Sequence, residues 1–335
     1  MNKGIAWVCV AAALLPASAA RATLIEVDFD MFNLFSQGKV VAKRGVSILG
    51  TVGAEQKILL GKESQIDGDV YTFDRFKVRQ NSIIKGRVIS SGDLVVGRNV
   101  EIGALDSGDD LRIARDTLVL GHVAFAGDFR IHDTVEIGEG ILTLLDAWHA
   151  EAPPLASITA PGSQGVLVAK NKVIDLPPGD YADLTVGRNA TVILRAGTYT
   201  FDNVRLAKKV KVIGDTEDGP IGVNLAGKLR IRRKSSLGTE GSLGITVSAG
   251  GKIRIGRETR VTANMVSRDR LIVGPKGLLD GSYRAAGNVK LGKKVVVVPE
   301  PYSIVLLSAA LPYLWRRRGN ILRDRDDPEK GIHAL

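Results

Sequence analysis

A short phrase that recurs about every 18 residues, the length of one turn of a β-solenoid, is the feature that most constrains how this chain can fold. The phrase is an apolar residue, any residue, a second apolar residue, and then a glycine, small or polar residue that a basic residue usually follows. Its second apolar residue falls at positions 60, 78, 96, 113 and 131, so the phrase returns in steps of 18, 18, 17 and 18. A second marker, a glycine at positions 50, 68, 86, 103, 121 and 138, keeps the same period. Such a period predicts a solenoid, in which each repeat buries its apolar side against its neighbours.

Within each phrase, apolar and polar residues alternate, which is the period of a β-strand. One turn of a parallel β-helix has three short strands and needs about 18 residues. We therefore predict an all-β chain, a parallel β-helix whose apolar side chains stack into ladders. One predicted ladder is Leu60, Val78, Val96, Ile113 and Ile131, and another is Ile66, Ile84, Ile102, Val119 and Ile137. The 38 glycines agree with many tight turns between short strands.

The repeat falls into two arrays. The first is predicted over residues 40–140 and the second over residues 173–297, where the successive steps of 20, 25, 24, 18 and 18 are less even. Residues 141–172 break the period and contain Pro153, Pro154 and Pro161, which predicts an irregular segment or linker. The sequence leaves open whether the arrays form one continuous rod or two abutting ones.

Two fragments of the first array resemble the bactofilins, which are bacterial scaffold polymers. These fragments are Ile66-Asp67-Gly68-Asp69-Val70 and Ile84-Lys85-Gly86-Arg87-Val88, within residues 46–140. The resemblance implies a triangular, right-handed β-helix. The six-residue spacing between the ladders also suits left-handed hexapeptide helices, and spacing alone does not set the hand; we favour the right-handed form.

The N-terminal residues 1–22 read as a secretory signal peptide. Lys3 is followed by an apolar run, Ile5 to Pro16, and then by small residues that allow cleavage after Ala19 or Ala22. An uncleaved N-terminal anchor is the alternative. The single cysteine, Cys9, lies inside this apolar run, so the mature chain would have no disulfide and no thiolate metal site.

A second tripartite signal lies near the C-terminus. Pro299-Glu300-Pro301 is followed by the apolar run Tyr302 to Trp315 and by Arg316, Arg317 and Arg318. An apolar segment partitions into a bilayer, and an arginine cluster resists crossing it. The segment 298–318 resembles the PEP-CTERM sorting signal. That resemblance implies an exosortase-type transpeptidase as partner, processing at Pro299, Glu300 and Pro301, and at least transient anchoring in the inner membrane. A plain anchor, which the polar tail 319–335 would follow, and a buried core helix are the alternatives.

Chemistry-bearing clusters are few. Asp106, Asp109 and Asp110 could bind Ca²⁺ or supply catalytic carboxylates, or could simply form a polar turn between strands. His122 follows a corner glycine, a position at which hexapeptide acyltransferases use a histidine as base. The sequence shows no Ser-His-Asp set, P-loop or Cys/His metal spacing. We therefore predict no catalytic residue, no metal, no cofactor and no enzyme activity.

Basic residues recur with the repeat, and the formal net charge is +10. A fixed slot in each repeat would align them as a stripe, which could bind an acidic exopolysaccharide or the phosphates of extracellular DNA, or could only keep the rod soluble. No specific recognition of nucleic acid is expected. The stripe consists of Lys62, Arg98, Arg115, Arg188, Lys208, Arg232, Arg257 and Lys293.

Together these features predict an exported, non-enzymatic structural or adhesive protein of the cell envelope, cell surface or biofilm matrix. A secreted carbohydrate-active enzyme on the same fold is one alternative. A membrane-tethered, bactofilin-like scaffold that self-associates through uncapped ends of the solenoid is the other.

Overall fold

The computed structural model describes residues 32–143, 160–239 and 244–299, and these residues form one parallel β-solenoid. The described residues contain 37 strands, β1 to β37, and no helix. Each full turn of the chain passes through three faces, which we number 1 to 3 from the face that carries the repeated phrase. The predicted all-β solenoid is confirmed for this part of the chain.

Face 1 is a sheet of 13 strands that carry the repeated phrase. Its strands are β2 (Lys39–Ala42), β5 (Lys57–Leu60), β8 (Arg75–Val78), β10 (Leu94–Val96), β12 (Leu111–Ile113), β15 (Phe129–Ile131), β18 (Val166–Val168), β21 (Leu184–Val186), β24 (Val204–Leu206), β27 (Leu229–Ile231), β30 (Ile253–Ile255), β33 (Leu271–Val273) and β36 (Val289–Leu291).

Faces 2 and 3 belong to a second sheet of 24 strands, because β9 (Ile83–Ser90) and β11 (Glu101–Ser107) run round the corner from one face to the other. The remaining strands of face 2 are β3 (Ser47–Ile48), β6 (Gln65–Ile66), β13 (Leu118–Val119), β16 (Glu136–Ile137), β19 (Val173–Leu176), β22 (Thr191–Leu194), β25 (Lys211–Gly214), β28 (Ser236–Leu237), β31 (Arg260–Thr262), β34 (Leu278–Asp280) and β37 (Val296–Val298). Those of face 3 are β1 (Phe32–Ser36), β4 (Thr51–Ala54), β7 (Val70–Thr72), β14 (His122–Phe125), β17 (Gly140–Thr143), β20 (Gly179–Asp180), β23 (Gly197–Phe201), β26 (Ile221–Leu225), β29 (Ile245–Ala249), β32 (Asn264–Ser267) and β35 (Tyr283–Ala285).

Both predicted apolar ladders are present in register. Leu60 pairs with Val78, and the ladder continues through Val96 and Ile113 to Ile131. On face 2, Ile66 pairs with Ile84, and that ladder continues to Ile137. The inward residues of both arrays form one continuous apolar core. Each turn therefore buries its apolar residues only by stacking on its neighbours.

The corner between faces 1 and 2 needs a left-handed backbone conformation in nearly every turn. Gly45 takes it in the first turn, and eleven later turns place a non-glycine residue there, with φ between 51° and 60°. Asparagine tolerates this conformation, and Asn99 donates a side-chain hydrogen bond to Asn81, its counterpart one turn away, at 3.2 Å. The corner residues are Glu63, Asn81, Asn99, Asp116, Asn171, Asn189, Lys209, Lys234, Glu258, Lys276 and Lys294.

Differences in turn length are absorbed at the corner between faces 2 and 3. In the first array, one turn is a residue shorter than its neighbour at this corner. The pairing of β11 with β9 therefore shifts by one residue between Ile102 and Ala104. In the second array, a longer turn adds the loop between β25 and β26, Asp215–Pro220, at the same corner. The ladders therefore stay in register although the repeat length varies.

The arrays are longer than the predicted ranges 40–140 and 173–297. The first begins with β1 at Phe32 and ends with β17 at Thr143, and the second begins with β18 at Val166. Strand β18 and the two residues after it, Val166 to Lys170, fit the repeated phrase although they lie inside the segment predicted to be irregular, and the middle residue Leu167 is 81% exposed. Val298, the predicted start of the sorting segment, is the last residue of β37. Of the predicted irregular segment 141–172, residues 144–159 lie outside the described residues.

The two arrays form one continuous rod, but the turns do not follow each other in chain order. The first turn of the chain stacks on the last: β1 pairs with β35, β2 with β36 and β3 with β37. We call this contact the junction. One end of the rod is therefore formed by β15, β16 and β17, and the other by β18, β19 and β20.

The signal peptide 1–22 and the polar tail 319–335 lie outside the described residues, as does the sorting segment from Glu300 onward. Within the described ranges, no helix is long and apolar enough to cross a bilayer. The hand of the solenoid stays a prediction.

The stacked turns leave little room at the glycine corners, and this predicts a sharp difference between two alanine substitutions. A Cβ at Gly86 would lie 2.4 Å from the carbonyl oxygen of Gly68 in the turn below, whereas a Cβ at Gly222 would meet nothing nearer than Thr198 Oγ1 at 3.7 Å. Gly86→Ala should lower the free energy of unfolding by about 1–3 kcal/mol, because the turns must separate to admit the methyl group. Gly222→Ala should leave it unchanged or raise it slightly. Denaturant unfolding of both variants checks this; equal effects would contradict it.

Candidate functional site: a basic face on the second array

Three arginines stand in a row on the outside of face 1. Arg205, Arg230 and Arg254 are the middle residues of β24, β27 and β30, and they are paired in register. Their neighbours in each strand point into the core, so all three side chains are exposed. Adjacent strands lie about 4.8 Å apart, and like charges directly opposite each other are destabilising. An uncompensated row of this kind needs a reason other than folding.

Further cations surround this row on the same three turns, just before β27 and β30 and at the corner that follows each of the three strands. Glu258 is the carboxylate that the structure pairs with them in the described part of the chain, through Lys234 at 3.5 Å and Arg257 at 3.8 Å. We call this surface the basic face. It consists of Arg205, Lys208, Lys209, Lys228, Arg230, Arg232, Arg233, Lys234, Lys252, Arg254 and Arg257.

The corner side of the basic face contains a shallow trough of about 360 Å³, which extends to Lys170 and Arg188 in the neighbouring turns. The charge of Arg233 is the largest influence on Lys208, and it lowers the pKa of that ammonium group; partial desolvation and the charges of Arg188, Arg232 and Arg257 act in the same direction. The trough is therefore a place where adding positive charge is unfavourable and a bound anion would be stabilised.

The first array has a smaller group of cations, Arg98, Arg112, Arg115 and Arg130, but its charges are balanced overall, since residues 32–143 contain 15 Asp and Glu against 14 Lys and Arg. Arg44 bonds to Glu63 at 2.5 Å, and Arg75 forms an ion pair with Asp93. Arg112 lies 3.2 Å from Asp110. These are exposed pairs, which contribute little to stability, but they neutralise the surface locally. The excess of positive charge is therefore concentrated on the second array.

The predicted basic stripe overlaps the basic face in three residues, Lys208, Arg232 and Arg257. Lys62, Arg98, Arg115, Arg188, Lys208, Arg257 and Lys293 occupy the same corner slot, two residues after each face 1 strand. Arg232 does not, because Arg233 takes that slot in its turn. The prediction missed the row of Arg205, Arg230 and Arg254, which occupies the "any residue" position of the phrase. The signal that could have found it was the recurrence of arginine there in three successive repeats.

The predicted acidic cluster does not come together. Asp106 is 3% exposed and forms an ion pair with Arg87, while its other oxygen lies 3.1 Å from His122 Nε2. His122 Nδ1 in turn lies 3.9 Å from Glu139. Asp106 is thus part of a network of ionisable groups that runs from Arg87 through His122 to Glu139. A buried carboxylate needs such partners simply to be tolerated, so this network has a sufficient structural explanation.

Asp110 and Asp109 have other surroundings. Asp110 accepts hydrogen bonds from Arg112 and from the backbone N–H of Asp128 at 3.0 Å, and Asp109 is exposed. Within the ranges that the structure describes, no three His, Cys, Asp or Glu side chains are grouped as metal ligands would be. The absence of a cofactor, and of enzyme activity, stays a prediction.

Aromatic rings gather on the outside of face 3, where a sugar-binding protein would place a stacking platform. Phe32 packs against Phe35 and edge-on against Tyr71, with ring centroids 5.3 and 5.7 Å apart. Gly53 makes room for the two phenylalanines, since a Cβ there would lie 2.6 Å from Phe32. All three rings are buried. They therefore serve packing on this face and offer no open platform.

Of the predicted sorting residues, Pro299 is the last described residue. Glu300, Pro301, Arg316, Arg317 and Arg318 lie outside the described residues, as do the predicted cleavage sites at Ala19 and Ala22.

No protein-family model and no curated protein matches the sequence. Among solved structures, the chain is similar to the ice-binding protein of an Antarctic bacterium of the Flavobacteriaceae, with 11% identity and a TM-score of 0.30. The alignment covers 81% of this chain and 97% of that one. So remote a similarity carries no functional argument, and the fold described above rests on the strand pairings themselves.

The crowding of charge in the trough can be measured at Lys208. Arg233→Gln should raise the pKa of Lys208 towards that of an ordinary lysine, because Arg233 is the largest cause of its lowering. Arg98→Gln, a change at the same slot in the first array, should leave the pKa of Lys208 unchanged. NMR titration of the lysine side chains checks both variants. A pKa of Lys208 that does not respond to Arg233→Gln would show that the trough is less crowded than described.

Proposed function

We propose that this protein is an exported, non-enzymatic structural or adhesive component of the cell envelope or its surrounding matrix, and that its basic face binds an acidic polysaccharide. The observation that carries the proposal is the in-register row of Arg205, Arg230 and Arg254 on a rigid β-solenoid. Cations held at the spacing of adjacent strands form a linear array that suits a linear polyanion better than a small ligand.

Export and anchoring are proposed from the two ends of the sequence. Residues 1–22 would direct secretion, and the segment 298–318 would be recognised by an exosortase-type transpeptidase after transient insertion into the inner membrane. The apolar run followed by three arginines supports this proposal, since such a cluster resists transfer across a bilayer. The mature rod would then be displayed at the cell surface or released into the extracellular matrix.

The polysaccharide proposal predicts that binding depends on both salt and the arginine row. Replacing Arg205, Arg230 and Arg254 together by glutamine should weaken binding to a polyuronate such as alginate roughly 10- to 100-fold, at about 1 kcal/mol or less for each cation near an anionic surface. Binding should also fall as salt rises, because exposed charges are screened. Titration by light scattering or calorimetry at two salt concentrations measures both effects.

The matched control for this prediction removes the same charge from the first array. Lys57, Lys62 and Lys77 changed together to glutamine should leave binding nearly unchanged, because they lie on face 1 or at its corner but outside the basic face. An equal loss in both triple variants would reduce the interaction to net charge alone. Binding that ignores ionic strength, or that extends to neutral dextran, would overturn the proposal.

The sorting proposal predicts the mass of the protein in its native envelope. Cleavage by a transpeptidase should give a chain that ends near Pro299 to Pro301, with or without an added group. Intact-mass spectrometry of the protein recovered from the envelope checks this. A mass that includes Leu335 would remove the sortase and would leave a membrane-tethered β-solenoid, in agreement with the scaffold alternative.

A further inference from the structure

The junction sets an unusual demand on the connection between the two arrays. Because the first turn of the chain stacks on the last, the connection leaves the rod at one end, after Thr143, and re-enters at the other. Gly162 lies against the backbone of Asp180, one level beyond β20. If the two arrays of one rod come from the same chain, the connection must therefore span the rod from end to end.

The span can be compared with the reach of the chain. Face 3 has 13 strands from β17 to β20, so Thr143 and Gly162 are separated by thirteen levels, or about 62 Å at about 4.8 Å per level. The 19 peptide steps between these residues reach at most about 63–68 Å when fully extended. Proline residues reduce this reach, since the polyproline conformation rises about 3.1 Å per residue, and Pro153, Pro154 and Pro161 lie in the connection. Closure within one chain therefore uses nearly all of the available length.

The junction is paired on all three faces, as are the contacts between neighbouring turns inside each array. Ser36 donates a hydrogen bond to the carbonyl oxygen of Gly287 at 2.8 Å, as Ser267 does to Gly251 at 3.0 Å inside the second array. The backbone N–H of Lys39 donates to Asn288 Oδ1 at 3.0 Å, as that of Lys228 does to Asn203 Oδ1. The junction is thus a specific, well-formed interface, and its two sides belong to segments at opposite ends of the described chain.

We propose that the junction forms between two copies of this chain, which exchange arrays to make a two-fold dimer. Each rod would combine the first array of one copy with the second array of the other. With the two rods side by side and antiparallel, each connection has to cross only from one rod end to the adjacent end of the neighbouring rod. The same contacts form as within one chain, while the connection is released from near-full extension, which favours exchange.

The exchange can be tested with cysteines on the two sides of the junction. Val41 and Lys290 are paired in register on the outside of face 1, and neighbouring strands place their Cα atoms within the range of about 4.4–6.8 Å that a disulfide spans. The full-length chain contains only Cys9, which is changed to serine in every variant. Val41→Cys and Lys290→Cys are placed in two differently tagged copies, which are co-expressed and oxidised.

We expect a disulfide-linked pair that carries both tags, and a mass of two chains by light scattering. The matched control uses Lys77→Cys and Val95→Cys, which are paired in the same way but both belong to the first array. In separate copies these two cysteines should not link, because array exchange does not bring them together. Two results together would overturn the proposal. The junction pair would give no product with both tags, and Val41→Cys and Lys290→Cys combined in one chain would form a disulfide within that chain.

A second variant tests the cause of the exchange without any cysteine. A flexible glycine and serine segment, about two-thirds as long as the connection, is inserted after Ala150. The lengthened connection can span the rod without full extension, so closure within one chain becomes easy. The fraction of two-chain species should fall and that of single chains should rise, as measured by light scattering. A single-chain mass for both the natural and the lengthened protein would refute exchange.

Discussion

Parallel hydrogen bonding between successive turns is the interaction on which the rest of the molecule depends. A single turn has too few apolar residues to enclose a core, and its backbone groups point up and down the rod rather than across it. Each turn therefore obtains both its hydrogen bonds and its buried surface from its neighbours. Since the pairing is in register, like side chains lie above like side chains, as in the ladders of Leu60 and Ile66.

The same register acts differently on apolar and charged residues. Inside the rod it stacks apolar side chains into a continuous core. Outside, it sets Arg230 directly between Arg205 and Arg254, where repulsion opposes the hydrogen bonds that hold the strands together. In the first array, acidic partners such as Asp93 and Glu63 relieve this repulsion. In the second array the repulsion is largely left in place, and the solenoid holds the cations in a geometry that they would not adopt on a flexible chain.

The sequence allowed the local structure to be predicted and left the long-range order undetermined. The period of the repeat identifies which residues share a ladder, because a strand has only two sides and the step between turns is nearly constant. The period gives no information on which ends of the two arrays meet, since every edge of a solenoid presents the same backbone groups. Strand β18 was missed although Val166 to Lys170 fit the phrase, because it directly follows the proline-containing stretch that interrupts the period. Similarly, Arg205 and its neighbours were overlooked because they occupy a position that the core does not constrain.

The junction also determines how the rod would be held. Strand β37, after which the proposed anchor begins, lies next to the first turn of the chain, with six strands of face 1 on one side of the junction and seven on the other. A tether that leaves the solenoid after Val298 would therefore attach at mid-length rather than at a tip. Such a rod would lie with its long axis along the cell surface and would not project from it as a stalk. One arm would present the basic face, and the other would point the opposite way with nearly equal numbers of basic and acidic residues.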